Sequence, residues 1–181
     1  MNNKYDDIVK SILINEEEIV NMTKRLGEKI SSDDKDKELV VVGMLKGCAP
    51  FMMELIKHIT IPMTIDFIQA SSYHGTKSTN NVILKKDVDT DLKGKHVLIV
   101  DDVLDTAQTI TKVLEILADR GTASIELCCL LDKKEGRKVQ YEAKYIGTEI
   151  PNEFVIGYGL DYNEYYRNLP YVAIVKDEVY K

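Results

Sequence analysis

The stretch from Gly94 to Leu131 leaves the chain the least choice of fold. His96-Val-Leu-Ile-Val100 and Ile125–Leu131 are almost continuously apolar. A strand with no polar side must be covered on both faces, as interior strands of parallel sheets are. Between the two runs, Ile110, Val113, Leu114 and Leu117 recur at the steps of one helix face, and this helix is expected to end at Arg120-Gly121. Strand, helix and strand in that order require a crossover, right-handed because twisted strands pack that way. The expected class is α/β, a mainly parallel central sheet flanked by helices.

The remainder fits one such domain of 181 residues without a linker. Residues 16–30 carry Ile19, Met22, Leu26 and Ile30 at helical spacing, with Glu16–Glu18 at the end the helix dipole favours. Leu39–Val42 reads as a buried strand, Gly43–Gly47 as a strand-to-helix loop, and Ala49–Ile59 as a helix with Pro50 in its first turn. Met63–Ala70 and Val82–Lys86 read as strands joined by the polar stretch 71–81, which suits an exposed, mobile loop. The final third offers short strands at Ala143–Ile146, Phe154–Gly157 and Val172–Val175 among many tyrosines.

Composition narrows the partners. Apolar runs of four or five residues, such as Val97–Val100 and Leu127–Leu131, fall far short of the roughly 18 needed to cross a bilayer. A net charge of -6 disfavours a nucleic-acid surface while leaving room for a local anion site. The polar N-terminus lacks an apolar signal core, so a cytoplasmic protein is expected, with Cys48, Cys128 and Cys129 as buried structural thiols.

The chemistry concentrates in Val100-Asp-Asp-Val-Leu-Asp-Thr-Ala-Gln-Thr109. Open parallel sheets bind ligands at the carboxyl ends of their strands, where Asp101, Asp102 and Asp105 cluster. Amides of the following helix could take a phosphate, with Thr109 adding a hydroxyl. Asp101 and Asp102 could hold a hard cation or a sugar diol. Asp105 or Thr106 would equally serve as a plain helix cap, and the acidic pair as a solvated strand exit. The glycines of a Walker loop or dinucleotide fingerprint are absent.

The run 97–109 resembles the phosphoribosyl pyrophosphate motif of type I phosphoribosyltransferases. Ile150–Leu169 resembles the purine-binding segment of the hypoxanthine-guanine phosphoribosyltransferases. That resemblance extends from about residue 12 to the C-terminus. It implies a type I phosphoribosyltransferase fold in a single domain over 1–181, with a small hood from about 143–170 and part of 1–20. The implied reaction moves the phosphoribosyl group of 5-phosphoribosyl 1-pyrophosphate to N9 of hypoxanthine or guanine, giving IMP or GMP and pyrophosphate, with Mg²⁺ as cofactor.

By the same resemblance Asp105 is the catalytic acid/base, and Asp101 and Asp102 meet the ribose hydroxyls and the metal, which Asp161 also approaches. Thr106, Ala107, Gln108 and Thr109 cradle the 5′-phosphate, while Leu45, Lys46, Gly47 and Arg167 receive pyrophosphate. The family's loop often carries a cis peptide before that lysine. Lys133 meets purine O6, Phe154 the purine face and Val155 its edge, under a flap containing Ser72 and Tyr73. Ala107 stands where the family commonly has glycine, and an ordinary helical conformation is expected there. A homodimer or homotetramer is implied, without nucleic acid or membrane partners. Taken without the resemblance, Lys46 and Lys133 read as solvated loop lysines, Arg167 as an ion-pair partner of Glu164, Phe154 as a core aromatic and Asp161 as a turn cap. The alternatives in function are a xanthine-preferring transferase, or a nucleotide-sensing or RNA-binding regulator on the same fold.

Overall fold

The structure, a computed structural model, describes residues 5, 7–72 and 82–180. In chain order the elements are β1 (Val9–Ile14), α1 (Glu16–Asp33), β2 (Leu39–Met44), α2 (Ala49–Leu55), β3 (Met63–Ser72), β4 (Val82–Lys86), β5 (His96–Leu104), α3 (Gln108–Ala118), β6 (Ser124–Asp132), β7 (Tyr145–Glu149), β8 (Val155–Ile156), β9 (Val172–Val175) and α4 (Asp177–Tyr180). Six strands form the main sheet in the order β4-β3-β2-β5-β6-β7. Its pairs are parallel except for β3 with β4. The expected α/β sheet is therefore present, and β5 lies at its middle.

The apolar runs are explained by what covers them. Leu98 and Val100 of β5 join the core under α1 and α2, together with Val41, Cys128 and Leu130. Val97 and Ile99 point the other way, into the core under α3 with Val40, Val42, Leu127 and Cys129. Strand side chains alternate between faces, so only a sheet covered twice needs every position apolar. Cys48, Cys128 and Cys129 are buried free thiols whose pKa values burial raises. Among the described residues no helix is long and apolar enough to cross a membrane.

Helix α1 begins with a capping box: Asn15 accepts from the Glu18 amide at 2.9 Å, and Glu18 from the Asn15 amide at 2.8 Å. It buries Ile19, Thr23, Leu26, Gly27 and Ile30. Helix α2 stops at Leu55, earlier than the expected Ile59, and tightens into a 3-10 turn at Ile56–His58. There His58 lies so close to α1 that a Cβ on Gly27 would meet its Cβ at 2.5 Å and its carbonyl carbon at 2.8 Å.

A second sheet has the order β1-β9-β8 and is antiparallel. Val9–Ile14 carries no clean alternation, and its pairing with β9 contains register shifts, so periodicity gives it no strand signal. β7 pairs with β6 in the main sheet, whereas β9, beyond the 143–170 segment, is the middle strand of the small one.

Gly27→Ala sets two effects against each other. Helix propensity favours Ala by about 1 kcal/mol, while overpacking against an immovable backbone costs about 1–3 kcal/mol. Collision should win, lowering the thermal midpoint by roughly 2–4 °C per kcal/mol lost; a stabilised Gly27→Ala chain would contradict the close helix contact.

Candidate active site

β5 runs four residues past the expected end at Val100. The ladder with β6 continues through Asp101↔Cys129 and Val103↔Leu131 to Leu104↔Asp132. Asp101 and Asp102 are therefore strand residues with their backbone tied to the sheet. Each carboxylate turns partly back on the chain: Asp101 Oδ1 accepts from the Asp102 amide at 3.1 Å, and Asp102 Oδ1 from the Val103 amide at 2.7 Å. Burial raises both pKa values, and the neighbouring charge of Asp102 lifts Asp101 well above the usual carboxylate range. Two adjacent desolvated carboxylates form a place where positive charge would be stabilised.

Three glycines record how closely the surrounding loops approach. A Cβ on Gly47 would lie 1.7 Å from Asp102 Oδ2, one on Gly159 would lie 1.9 Å from the Gly47 carbonyl oxygen, and one on Gly136 would lie 2.2 Å from Asp105 Oδ1. The loop after β2, the end of β5, the 157–167 segment and the turn after β6 thus meet at one point. The Leu45–Lys46 peptide is cis.

The residues after β5 depart from expectation. Ala107 has φ 63° and ψ 1°, a left-handed conformation, and α3 starts only at Gln108. The expected helical alanine is corrected, as are the proposed caps, because among the described residues no side chain caps α3. The chain must swing from strand to helix within Asp105–Ala107, and one left-handed residue makes that turn; the Ala107 methyl packs into the core beneath α3. Thr106 Oγ1 accepts from the Gln108 amide at 3.4 Å. The Thr106 and Ala107 amides have no partner among the described residues. With the first amides of α3 they border a cavity of about 180 Å³ lined by Asp101, Asp105, Thr106, Ala107 and Thr109. Gln108 itself is exposed.

Lys133 is not solvated: it is 8% exposed. Burial pushes its ammonium below the ordinary lysine pKa, against the opposing pull first of Asp105 and then of Asp102. Its amide donates to the Leu104 carbonyl at 3.0 Å. Phe154, half-buried, stacks on Tyr180 at 5.0 Å and 25°, with Tyr162 edge-on at 5.8 Å. Val155 lies in β8, which among the described residues has a strand neighbour only on its β9 side.

In the 157–167 segment Arg167 donates to the Gly159 carbonyl at 2.7 Å and pairs with Asp161 at 2.8 Å and Glu164 at 3.3 Å. Asp161 also accepts from the Glu164 amide at 2.9 Å. Lys46 pairs with the same Glu164 carboxylate at 2.9 Å. Hydrogen bonds from Lys46 and then Arg167 hold the Glu164 pKa below the usual range. Two cations expected to meet an anion are thus gathered on one exposed glutamate. Tyr73 and the Ser72 side chain lie outside the described residues.

Sequence reading missed Gly136, Arg137 and Tyr180, while the expected Arg167–Glu164 ion pair is present. Arg137 looked like one charge in a polar turn, yet its Nη1 donates to the Leu104 carbonyl at 2.7 Å and to the Asp105 carbonyl, while Nη2 pairs with buried Asp132. No periodicity marks such a contact; an arginine beside buried acidic residues was the only hint.

Residues 9–163 match the phosphoribosyl transferase domain family. The chain is 48% identical over 173 residues to the hypoxanthine-guanine phosphoribosyltransferase of Streptococcus pneumoniae, covering 95% of this chain and 96% of the relative. It is 49% identical to that of Staphylococcus aureus, covering 95% and 97%. A crystal structure of a hypoxanthine phosphoribosyltransferase from Staphylococcus aureus superimposes with a TM-score of 0.95 at 48% identity, covering 100% of this chain and 99% of that one.

Position 107 supplies a test of the left-handed turn. Relief of the turn by glycine is worth about 1–2 kcal/mol, offset by about 0.8 for the lost methyl and 0.5–1 for backbone entropy. Ala107→Gly should therefore leave stability within about 1 kcal/mol of the native chain, whereas Ala107→Val, β-branched at positive φ, should lose about 2 kcal/mol or more in denaturant unfolding. Equal tolerance of valine and glycine would rule out the left-handed conformation.

Proposed function

The chain belongs to the phosphoribosyl transferase family, and from that premise we propose that it moves the 5-phosphoribosyl group of 5-phosphoribosyl 1-pyrophosphate to N9 of hypoxanthine or guanine. The products are IMP or GMP and pyrophosphate, and the role is purine salvage. The observation that supports this reading is the nearness of buried Lys133 to Asp105 and Asp102, with Gly47 and Arg167 also beside Asp102 and Lys46 sharing Glu164 with Arg167.

The roles follow from the surroundings of each group. The Thr106 and Ala107 amides, without a partner among the described residues, suit the 5′-phosphate together with those opening α3. Asp101 and Asp102 suit the ribose hydroxyls, whose hydrogen bonds would offset part of the carboxylates' desolvation. Lys46 and Arg167 would exchange Glu164 for pyrophosphate oxygens. Their pairing with so exposed a carboxylate is screened by solvent and offers little hindrance to a multiply charged ligand. Asp105, held beside Lys133, would accept the purine proton as N9 displaces pyrophosphate from C1 of the ribose.

The base would lie between the Phe154 ring and the end of β5, with its edge toward the side of Val155 away from β9. Lys133 donates only, so it suits the O6 of hypoxanthine and guanine and mismatches the amino group of adenine. Xanthine preference has no observation in its favour, and a buried lysine facing a catalytic carboxylate supports transfer over a sensing role.

Mg²⁺ fits the same acidic pair. Among the described residues no group of three or more His, Cys, Asp or Glu is placed to hold a metal alone. That suits an ion which keeps its waters and takes substrate oxygens besides one or two carboxylates. Asp101 and Asp102 would hold it, with Asp161 once Arg167 turns to pyrophosphate. When bound, it supplies charge neutralisation for the departing pyrophosphate.

Initial rates with hypoxanthine, guanine, xanthine and adenine, with and without Mg²⁺, test the reading directly. Both 6-oxopurines are expected to react and adenine to fail. Asp105→Asn should retain its melt and lose at least about tenfold in turnover; a folded variant of native speed would remove Asp105 from the proton transfer.

A further inference from the structure

The turn after β6 holds the backbone on both sides of Asp105. The Leu104 carbonyl accepts from the Lys133 amide at 3.0 Å and from Arg137 Nη1 at 2.7 Å. The Asp105 carbonyl accepts from the same Nη1. One residue on, the Thr106 carbonyl accepts from the Lys138 and Val139 amides, each at 3.1 Å. Fixing the peptide planes before and after a residue fixes its φ and ψ, so Asp105 keeps only its side-chain torsions. Gly136 then crowds Oδ1 and limits those as well.

Among the described residues the Asp105 carbonyl has no hydrogen-bond partner other than Arg137. The arginine is itself anchored, 13% exposed and paired with Asp132 at 3%. A planar fork can serve two carbonyls and a carboxylate together, which a single ammonium cannot do with the same geometry. Lys133 sits four residues away on the same turn, so one rigid piece carries both the O6 donor and the brace of the proton acceptor.

Resting on the transferase reading above, we infer that Arg137 is a positioning residue for Asp105, fixing the catalytic carboxylate relative to the purine donor Lys133 through the Leu104 and Asp105 carbonyls. Its loss would leave Lys133 its own backbone bond while freeing the peptide that aims Asp105.

The test is a double-mutant cycle on the full chain, with turnover measured at saturating hypoxanthine and phosphoribosyl donor. Arg137→Ala should lower kcat about 10–100-fold in the native background, and less than about threefold in Asp105→Asn, where little acid–base catalysis remains to misplace. KM for hypoxanthine should stay within about threefold, and added guanidinium ion should restore part of the kcat of Arg137→Ala but none of that of Asp105→Asn. If Arg137→Ala leaves Asp132 too exposed a liability to fold, Arg137→Gln combined with Asp132→Asn enters the same cycle as a neutral pair. Equal losses in the two backgrounds would overturn the positioning role and leave the assignment of Asp105 standing. An Asp105→Asn chain of native turnover would overturn both.

Discussion

Everything at the crevice depends on the β5–β6 ladder continuing to Leu104 and Asp132. Strand pairing satisfies backbone groups that would otherwise be costly to bury, allowing the partly buried Asp101 and Asp102 to stand on a firm support. The same ladder ends with β5 and β6 side by side, so the loops that follow them start as neighbours. Asp105 leaves one strand and Lys133 the other, and their proximity follows from register.

Electrostatics then gives the crevice its polarity. Asp101 and Asp102 are like charges that burial and mutual repulsion make unfavourable, while Lys46 and Arg167 share the Glu164 carboxylate. Under the proposed function, a metal-bound sugar pyrophosphate would bring cation and hydroxyls to the first group and phosphate oxygens to the second. Local arrangement, rather than the net charge of -6, would then govern anion binding.

Legibility differed sharply between elements. The runs in β5 and β6 announced an interior parallel sheet, and the stripe of α3 announced its cover, because hydrophobic burial is periodic in sequence. β1 escaped, since its pairing with β9 is irregular and lies more than 150 residues away. At Ala107 the residue type pointed away from the observed conformation; the turn and the buried methyl outweighed alanine's preference. Lys46, Lys133 and Arg167 looked like ordinary surface charges by local pattern, and family resemblance singled them out. Arg137 escaped both, because its significance is a contact with backbone; Glu164 was legible as the partner of Arg167, but not as that of the distant Lys46.

By itself the sequence determined the class of fold and the covered central strands, and it marked an acidic segment at the end of β5, since hydrophobic period and residue type are local properties that survive without a partner. Only the tertiary structure decided that Asp101 and Asp102 lie within the strand, that Ala107 turns left-handed, that Lys133 is buried and that Arg137 grips the carbonyl of Asp105. Those outcomes depend on which segments become neighbours, and a desolvated charge or a held peptide plane is a property of the neighbourhood.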